Sequence, residues 1–134
     1  MIFTIDVSAA VEIVMGRPKQ KILIDILKDA DWIIAPSLYI YEASNVMWKY
    51  HSIQNYPLDD LLTKTRQMTE IVDQFIKAED VYEEAISLSC KIDHPAYDAM
   101  YLVTCRRKNS TLVTLDKRLI KAANTLDLAV ASIG

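Results

Sequence analysis

Ile2-Phe3-Thr4-Ile5-Asp6-Val7-Ser8, near the amino end of a 134-residue chain, decides how the rest is read. Four consecutive apolar or β-branched residues suit a short buried strand, and the change to Asp6 and Ser8, both helix-capping types, predicts a helix over residues 9–15. Strand passing directly into helix is half of a β-α-β unit, so the pattern should repeat. It does. Trp32-Ile33-Ile34-Ala35 runs into Pro36-Ser37 and a capped helix to about Tyr50; Gln74-Phe75-Ile76 precedes a helix from Glu79 to about Lys91; Thr111-Leu112-Val113-Thr114 precedes one from Asp116 to Leu126. Helical spacing also marks Ile22–Asp31, the stretch from Pro57 through Met68, and a segment starting near Tyr97 after His94-Pro95, while Leu128-Ala129-Val130 reads as a last strand. The expected fold is α/β: a three-layer α/β/α domain whose central, mainly parallel sheet has four to five short strands.

No linker, repeat or low-complexity tract interrupts residues 1–134, so one domain is expected. A chain of this length buries about two-thirds of its unfolded surface and needs no staple. The two cysteines, Cys90 and Cys105, have no CxxC or Cys/His grouping and are expected to be reduced core residues rather than zinc ligands. With only two glycines, the loops that bring backbone close to ATP or NAD phosphates are excluded. No run approaches the ~18 apolar residues of a membrane span, and Asp6 stands where a secretory signal carries bases, which gives a cytoplasmic expectation. Fifteen Lys+Arg against 18 Asp+Glu, net −3, exclude broad charge-driven coating of nucleic acid.

In a parallel sheet the ligand site lies beyond the carboxyl ends of the strands. Asp6 directly follows the first strand, Asp116 follows Thr114 by two, Glu42 lies on the helix entered from the second strand, and Asp98 sits in the first turn of the helix near Tyr97. Each alone also reads as a cap or a salt-bridge partner; Glu42, with Leu38, Tyr39 and Val46 one turn away, needs a partner of some kind. Four acids meeting at one edge repel unless a hard cation joins them, and oxygen ligands select Mg²⁺, with Mn²⁺ able to substitute, over zinc. Such a centre suits hydrolysis of phosphodiesters by activated water.

The segments IDVSAAVE (5–12), PSLYIYEASNVMWKY (36–50), YDAMYLVTC (97–105) and LVTLDKRL (112–119) resemble, in order and spacing, the four motif regions of PIN-domain ribonucleases, and among them VapC-type toxins of toxin-antitoxin pairs. Position by position, the resemblance puts the family's acids on Asp6, Glu42, Asp98 and Asp116. It puts metal on Asp6, Asp98 and Asp116, with Glu42 binding directly or through water, and substrate or supporting contacts on Ser8 and Thr114. It implies a Mg²⁺-dependent endoribonuclease acting on RNA, commonly a homodimer, inhibited by a cognate antitoxin whose tail fills the groove. The alternative within the same resemblance is a catalytically silent scaffold that binds RNA or protein. Departures are few: Lys108-Asn109-Ser110 replaces a glycine-containing loop, with Asn109 able to supply the left-handed conformation, and Leu115 stands where a small residue is frequent.

Two other hydrolase-like or signalling readings fail on spacing. A haloacid-dehalogenase-type phosphatase needs an acid two residues after Asp6, where Ser8 stands, and a receiver domain needs paired acids there and another after a middle strand. The basic residues Arg106, Arg107, Lys108, Lys117, Arg118 and Lys121 either grip RNA phosphates or are solvated helix ends. The acids from Glu70 to Glu84 read as a solvated face, His51 and His94 as structural or exposed, and Tyr39, Tyr41, Trp48 and Tyr50 as core and dimer packing.

Overall fold

The computed structural model describes residues 1–134. Its order is β1 (Ile2–Ile5), α1 (Val7–Val14), α2 (Gln20–Leu27), β2 (Trp32–Pro36), α3 (Leu38–Gln54), α4 (Leu58–Ile71), β3 (Gln74–Ile76), α5 (Ala78–Ile92), α6 (Ala96–Lys108), β4 (Thr111–Val113) and α7 (Lys117–Thr125). The four strands are all parallel in the order β3-β2-β1-β4. The chain therefore steps outward twice from β1 and then returns to its other side, which makes the gap between β1 and β4 the switch point of the sheet.

Alternation along the strands sorts the side chains onto two faces. Phe3, Ile5, Ala35 and Val113 pack with α1–α4, while Ile34 and Leu112 pack with α5–α7, so each face of the sheet has its own buried cluster. Thr4 is in register with Ile34 and Leu112 and carries a hydroxyl into the second row at zero exposure. Ser110 Oγ, 2.6 Å away, satisfies it.

Several local expectations are corrected. The helix after β1 begins at Val7, because Asp6 itself is the cap, accepting from the Ala9 N–H at 3.1 Å. Ser37 does not cap α3; its backbone is helical and its Oγ accepts instead from the Ala78 N–H at 3.1 Å, joining the end of β2 to the start of α5. That helix also continues past Tyr50 to Gln54, where Asn55 in the left-handed conformation stops it. Thr114 lies one residue beyond β4, and the last strand shrinks to a single parallel bridge between Val130 and Leu112. Cys90 is exposed while Cys105 is buried, and Tyr41 and Trp48 face outward whereas Tyr39 and Tyr50 are buried. Asn109 does adopt the left-handed conformation, φ 50°, at the end of α6.

Candidate active site

A cleft of about 510 Å³ opens beyond the carboxyl ends of β1 and β4, at the switch point, and Asp6, Glu42, Asp98 and Asp116 all line it. Each arrives on a different element. The end of β1 delivers Asp6, α3 delivers Glu42 one turn inside its start, the first turn of α6 delivers Asp98, and the residue capping α7 is Asp116.

Asp6 is the most constrained of them. It is 6% exposed; Ser8 Oγ donates to its Oδ1 at 2.7 Å, Thr114 Oγ1 donates to its Oδ2 at 2.5 Å, and the Ala9 N–H shares Oδ1. The two hydroxyls are themselves held, Ser8 Oγ by the Leu115 N–H at 2.9 Å and Thr114 Oγ1 by the Asp116 N–H at 3.0 Å. This network ties the start of α1 to the loop after β4, so both hydroxyl residues singled out from the sequence serve Asp6. Burial pushes its carboxyl up to about 6, against the pull of the Thr114, Ser8 and Ala9 hydrogen bonds.

Glu42 has a partner, and it is not a cation. Tyr101, 3% exposed on α6, donates its hydroxyl to Glu42 Oε1 at 2.6 Å. Burial raises the Glu42 carboxyl, Tyr101 opposes the rise, and the charges of Asp98 and Asp116 add to it. Asp98 is raised as well, by burial first and then by Asp116, with Arg118 and His94 acting the other way. Asp116 spends Oδ1 on the Arg118 and Leu119 N–H groups at 2.9 and 3.4 Å. Three acids are thus harder to ionise than free carboxylates, through burial first and, in all three, through the charge of a neighbouring acid as well. That is the electrostatic state that an added cation relieves.

Further residues complete or flank the cleft, among them Arg17, Glu12 and Tyr101, which the sequence did not mark. Arg17, after α1, is the one cation on its wall; its guanidinium lies 5.6 Å from the centre of the Tyr50 ring and donates to the Tyr50 hydroxyl. Glu12 is a fifth carboxylate, accepting from the Lys19 N–H at 3.0 Å. His94 is half-buried, its Nδ1 3.8 Å from Asp98 Oδ2 and without a hydrogen-bond partner. Tyr101 stands three residues after Asp98, the spacing that puts two side chains on one helical face, and that spacing is the one signal in the sequence that points to it. Leu115 lines the wall, as its size implies.

The profile of the PIN domain matches residues 3–124. This chain belongs to the PIN domain family. Among solved structures it is similar to PAE2754 from Pyrobaculum aerophilum, with a TM-score of 0.75 at 18% identity over 97% of this chain and 83% of that one. It is also similar to FitAcB from Neisseria gonorrhoeae, with a TM-score of 0.58 at 14% identity over 99% of this chain and 98% of that one. At such identities the shared property is the fold. No curated protein matches the sequence.

In this PIN domain the six-base segment noted in the sequence divides. Arg106 and Arg107 both bind Glu84, at 2.7 and 2.6 Å, and Lys108 lies 5.9 Å from the centre of the Trp32 ring. They sit at the far end of α6 from Asp98, on the order of 15 Å along the helix, and belong to the α5–α6 surface. Only Lys117, Arg118 and Lys121, on α7, remain beside the acids.

Proposed function

We propose that this PIN domain is a Mg²⁺-dependent endoribonuclease, acting as a single unit over residues 1–134, and the toxin of a toxin-antitoxin pair. The observation that carries the enzymatic part is the meeting of Asp6, Glu42, Asp98 and Asp116, from four separate elements, in one cleft at the switch point of the sheet.

The donor chemistry fits a hard divalent ion: every candidate ligand is a carboxylate, and Asp6, Glu42 and Asp98 are each raised by burial and, to a lesser extent, by neighbouring negative charge. No three Asp, Glu, His or Cys side chains converge closely enough here to chelate one ion, so the acids line the cleft without closing on a point. Drawn toward an ion that keeps several of its waters, Asp6, Asp98 and Asp116 would hold Mg²⁺, or Mn²⁺ in its place, and Glu42 would reach it directly or through water. The chemistry supplied by the bound ion is polarisation of a phosphoryl oxygen and a lowered pKa for attacking water. The chain's own residues do the positioning. Ser8 and Thr114 fix both oxygens of Asp6, Tyr101 aims Glu42, and the α7 amides orient Asp116. Arg17, held against Tyr50, offers a guanidinium to substrate phosphate at the edge of a wall whose other charged residues are all acids. Attack of water on phosphorus with expulsion of the 3′ oxygen leaves 5′-phosphate and 3′-hydroxyl ends.

The homodimer and the antitoxin belong to the same reading. Tyr41 and Ile53 on α3, 73 and 74% exposed, give apolar surface for a partner to cover. None of the helices is long and apolar enough to cross a membrane.

The test is cleavage of end-labelled RNA by purified protein in Mg²⁺, with the ends mapped. The D98N substitution is expected to slow cleavage more than about 100-fold, since even a supporting partner of a metal ligand is worth 10–100-fold. Equal rates for D98N and wild type overturn the assignment.

A further inference from the structure

A second cavity, of about 330 Å³, adjoins the carboxylate cleft on the other side of the α6–α7 wall. The two are linked through neighbouring side chains. Asp98 lines the first and His94, 3.8 Å from it, lines the second; Asp116 and Leu119 face the first, and Arg118, Lys121 and Thr125 face the second. The last three recur at i, i+3 and i+7, so they form one face of α7.

The lining of this cavity is cationic where the cleft is anionic. Arg118 and Lys121 oppose a single carboxylate, Asp93, and neither cation takes part in any salt bridge of the structure. This sets them apart from Arg106 and Arg107, whose charges are spent on Glu84. His94 lines the same cavity while its buried Nδ1 faces Asp98, and Thr125 stands at the far end of the face. Two cations outside any salt bridge thus wall a concave space beside a cluster of acids, in a chain of net charge −3. It accommodates an anion, and the anion that reaches both cavities at once is a strand carrying evenly spaced phosphates.

Resting on the nuclease reading above, we infer that the His94–Arg118–Lys121 cavity binds a backbone phosphate of the RNA substrate, next to the linkage held at the acids. From Asp116 to Lys121 is five residues of helix, about 7 Å, a reach that suits the phosphate of a neighbouring nucleotide. The strand then runs from Arg17 and Tyr50 across the acids to α7, gripped by cations on both flanks. Scissile phosphate is therefore placed by its neighbours, and the repulsion between the acids and the strand is offset locally rather than by net charge.

Equilibrium binding of a fluorescein-labelled single-stranded RNA of about 12 nucleotides, a length within one domain's usual site size, tests this in Ca²⁺ so that binding is read without turnover. R118Q/K121Q should weaken affinity about tenfold at low salt and flatten the slope of log K against log salt by about 1.4, two contacts at ~0.7 each on a single strand. R118K/K121R, which keeps both charges, should retain the wild-type slope. Replacing one internal phosphate with an uncharged methylphosphonate should weaken wild type at a single position and leave R118Q/K121Q unaffected there. An unchanged slope in R118Q/K121Q, as when the cavity serves an acidic protein tail, overturns the inference even if RNA cleavage proceeds. A flattened slope in a protein that never cuts RNA upholds the phosphate site and overturns the nuclease reading alone.

Discussion

Asp6 is built into the fold at a cost that can be measured. Its carboxyl is 6% exposed and titrates near 6 instead of 3.8, so between those values the folded protein binds a proton that the unfolded chain has released. Stability therefore falls as pH rises through this window. The ionised carboxylate costs about 3 kcal/mol above pH 7, and the cost fades below pH 4. Asp6→Asn removes the charge while keeping an oxygen to accept from Ala9 and Ser8; its amide must then face Thr114, whose hydroxyl has to turn from donor to acceptor. That rearrangement offsets about 1 kcal/mol at all pH values. D6N is thus expected to be more stable than wild type by about 2 kcal/mol at pH 7.5, and the advantage should shrink by about 2 kcal/mol at pH 4.5, where the charge penalty has fallen from about 3 to about 1. Urea titrations followed by tryptophan fluorescence, in EDTA, give both numbers directly. A D6N-minus-wild-type difference that stays constant from pH 4.5 to 7.5 would refute the claim that burial of this charge is what raises its pKa. Added Mg²⁺ should narrow the gap at pH 7.5 by stabilising wild type alone, since a ligand that binds only the folded state adds its binding free energy to stability.

Three further outcomes are expected. Y101F removes the donor to Glu42 and should lower Mg²⁺ affinity, read by isothermal titration, by about 10–100-fold, with the fold retained by circular dichroism. T4V leaves the Ser110 hydroxyl buried without its partner and should cost about 1–3 kcal/mol in urea, whereas T4V/S110A should recover most of that loss. E84A frees Arg106 and Arg107 on an exposed surface; it should change stability by less than about 1 kcal/mol and leave RNA binding unchanged, because these bases lie at the wrong end of α6.

β1 and β2 were legible as short apolar runs that end at residues of capping type, Asp6 and Ser37, and β3 as a brief strand-forming stretch before a helical pattern, although Gln74 opens it and Lys77 follows it. The four acids were legible for the same reason: three of them follow strands or begin helices, the positions that a parallel sheet gathers at one edge. Tyr101 was not, since an aromatic inside an apolar helix reads as core until the structure shows its hydroxyl reaching Glu42 from an element 59 residues away. Arg17 follows a turn glycine and has no periodic signal, and its place depends on how α1 ends against Tyr50. Ser37 looked like a cap because capping residues and strand-end anchors are drawn from the same types, and only the Ala78 contact separates the two roles. The division of the basic segment, too, is a matter of helix length: α6 carries Arg106 and Arg107 away from the site that α7 keeps near Arg118.

The segment around Val130 never becomes a strand, yet it takes up Leu112: the Leu112 N–H donates to Ala129 O, and the Ala131 N–H to Leu112 O, both at 2.9 Å. These are the groups through which β4 would otherwise recruit another chain. An irregular stretch that claims one donor and one acceptor, and offers no ladder of its own to extend, ends the sheet more safely than a full fifth strand would. What is left for edge-to-edge association is β3, three residues long at the opposite margin. Cutting the chain after Asp127 would leave the hydrophobic core largely in place but open the β4 margin to intermolecular pairing, so the truncated protein should aggregate at concentrations where the full chain stays dispersed.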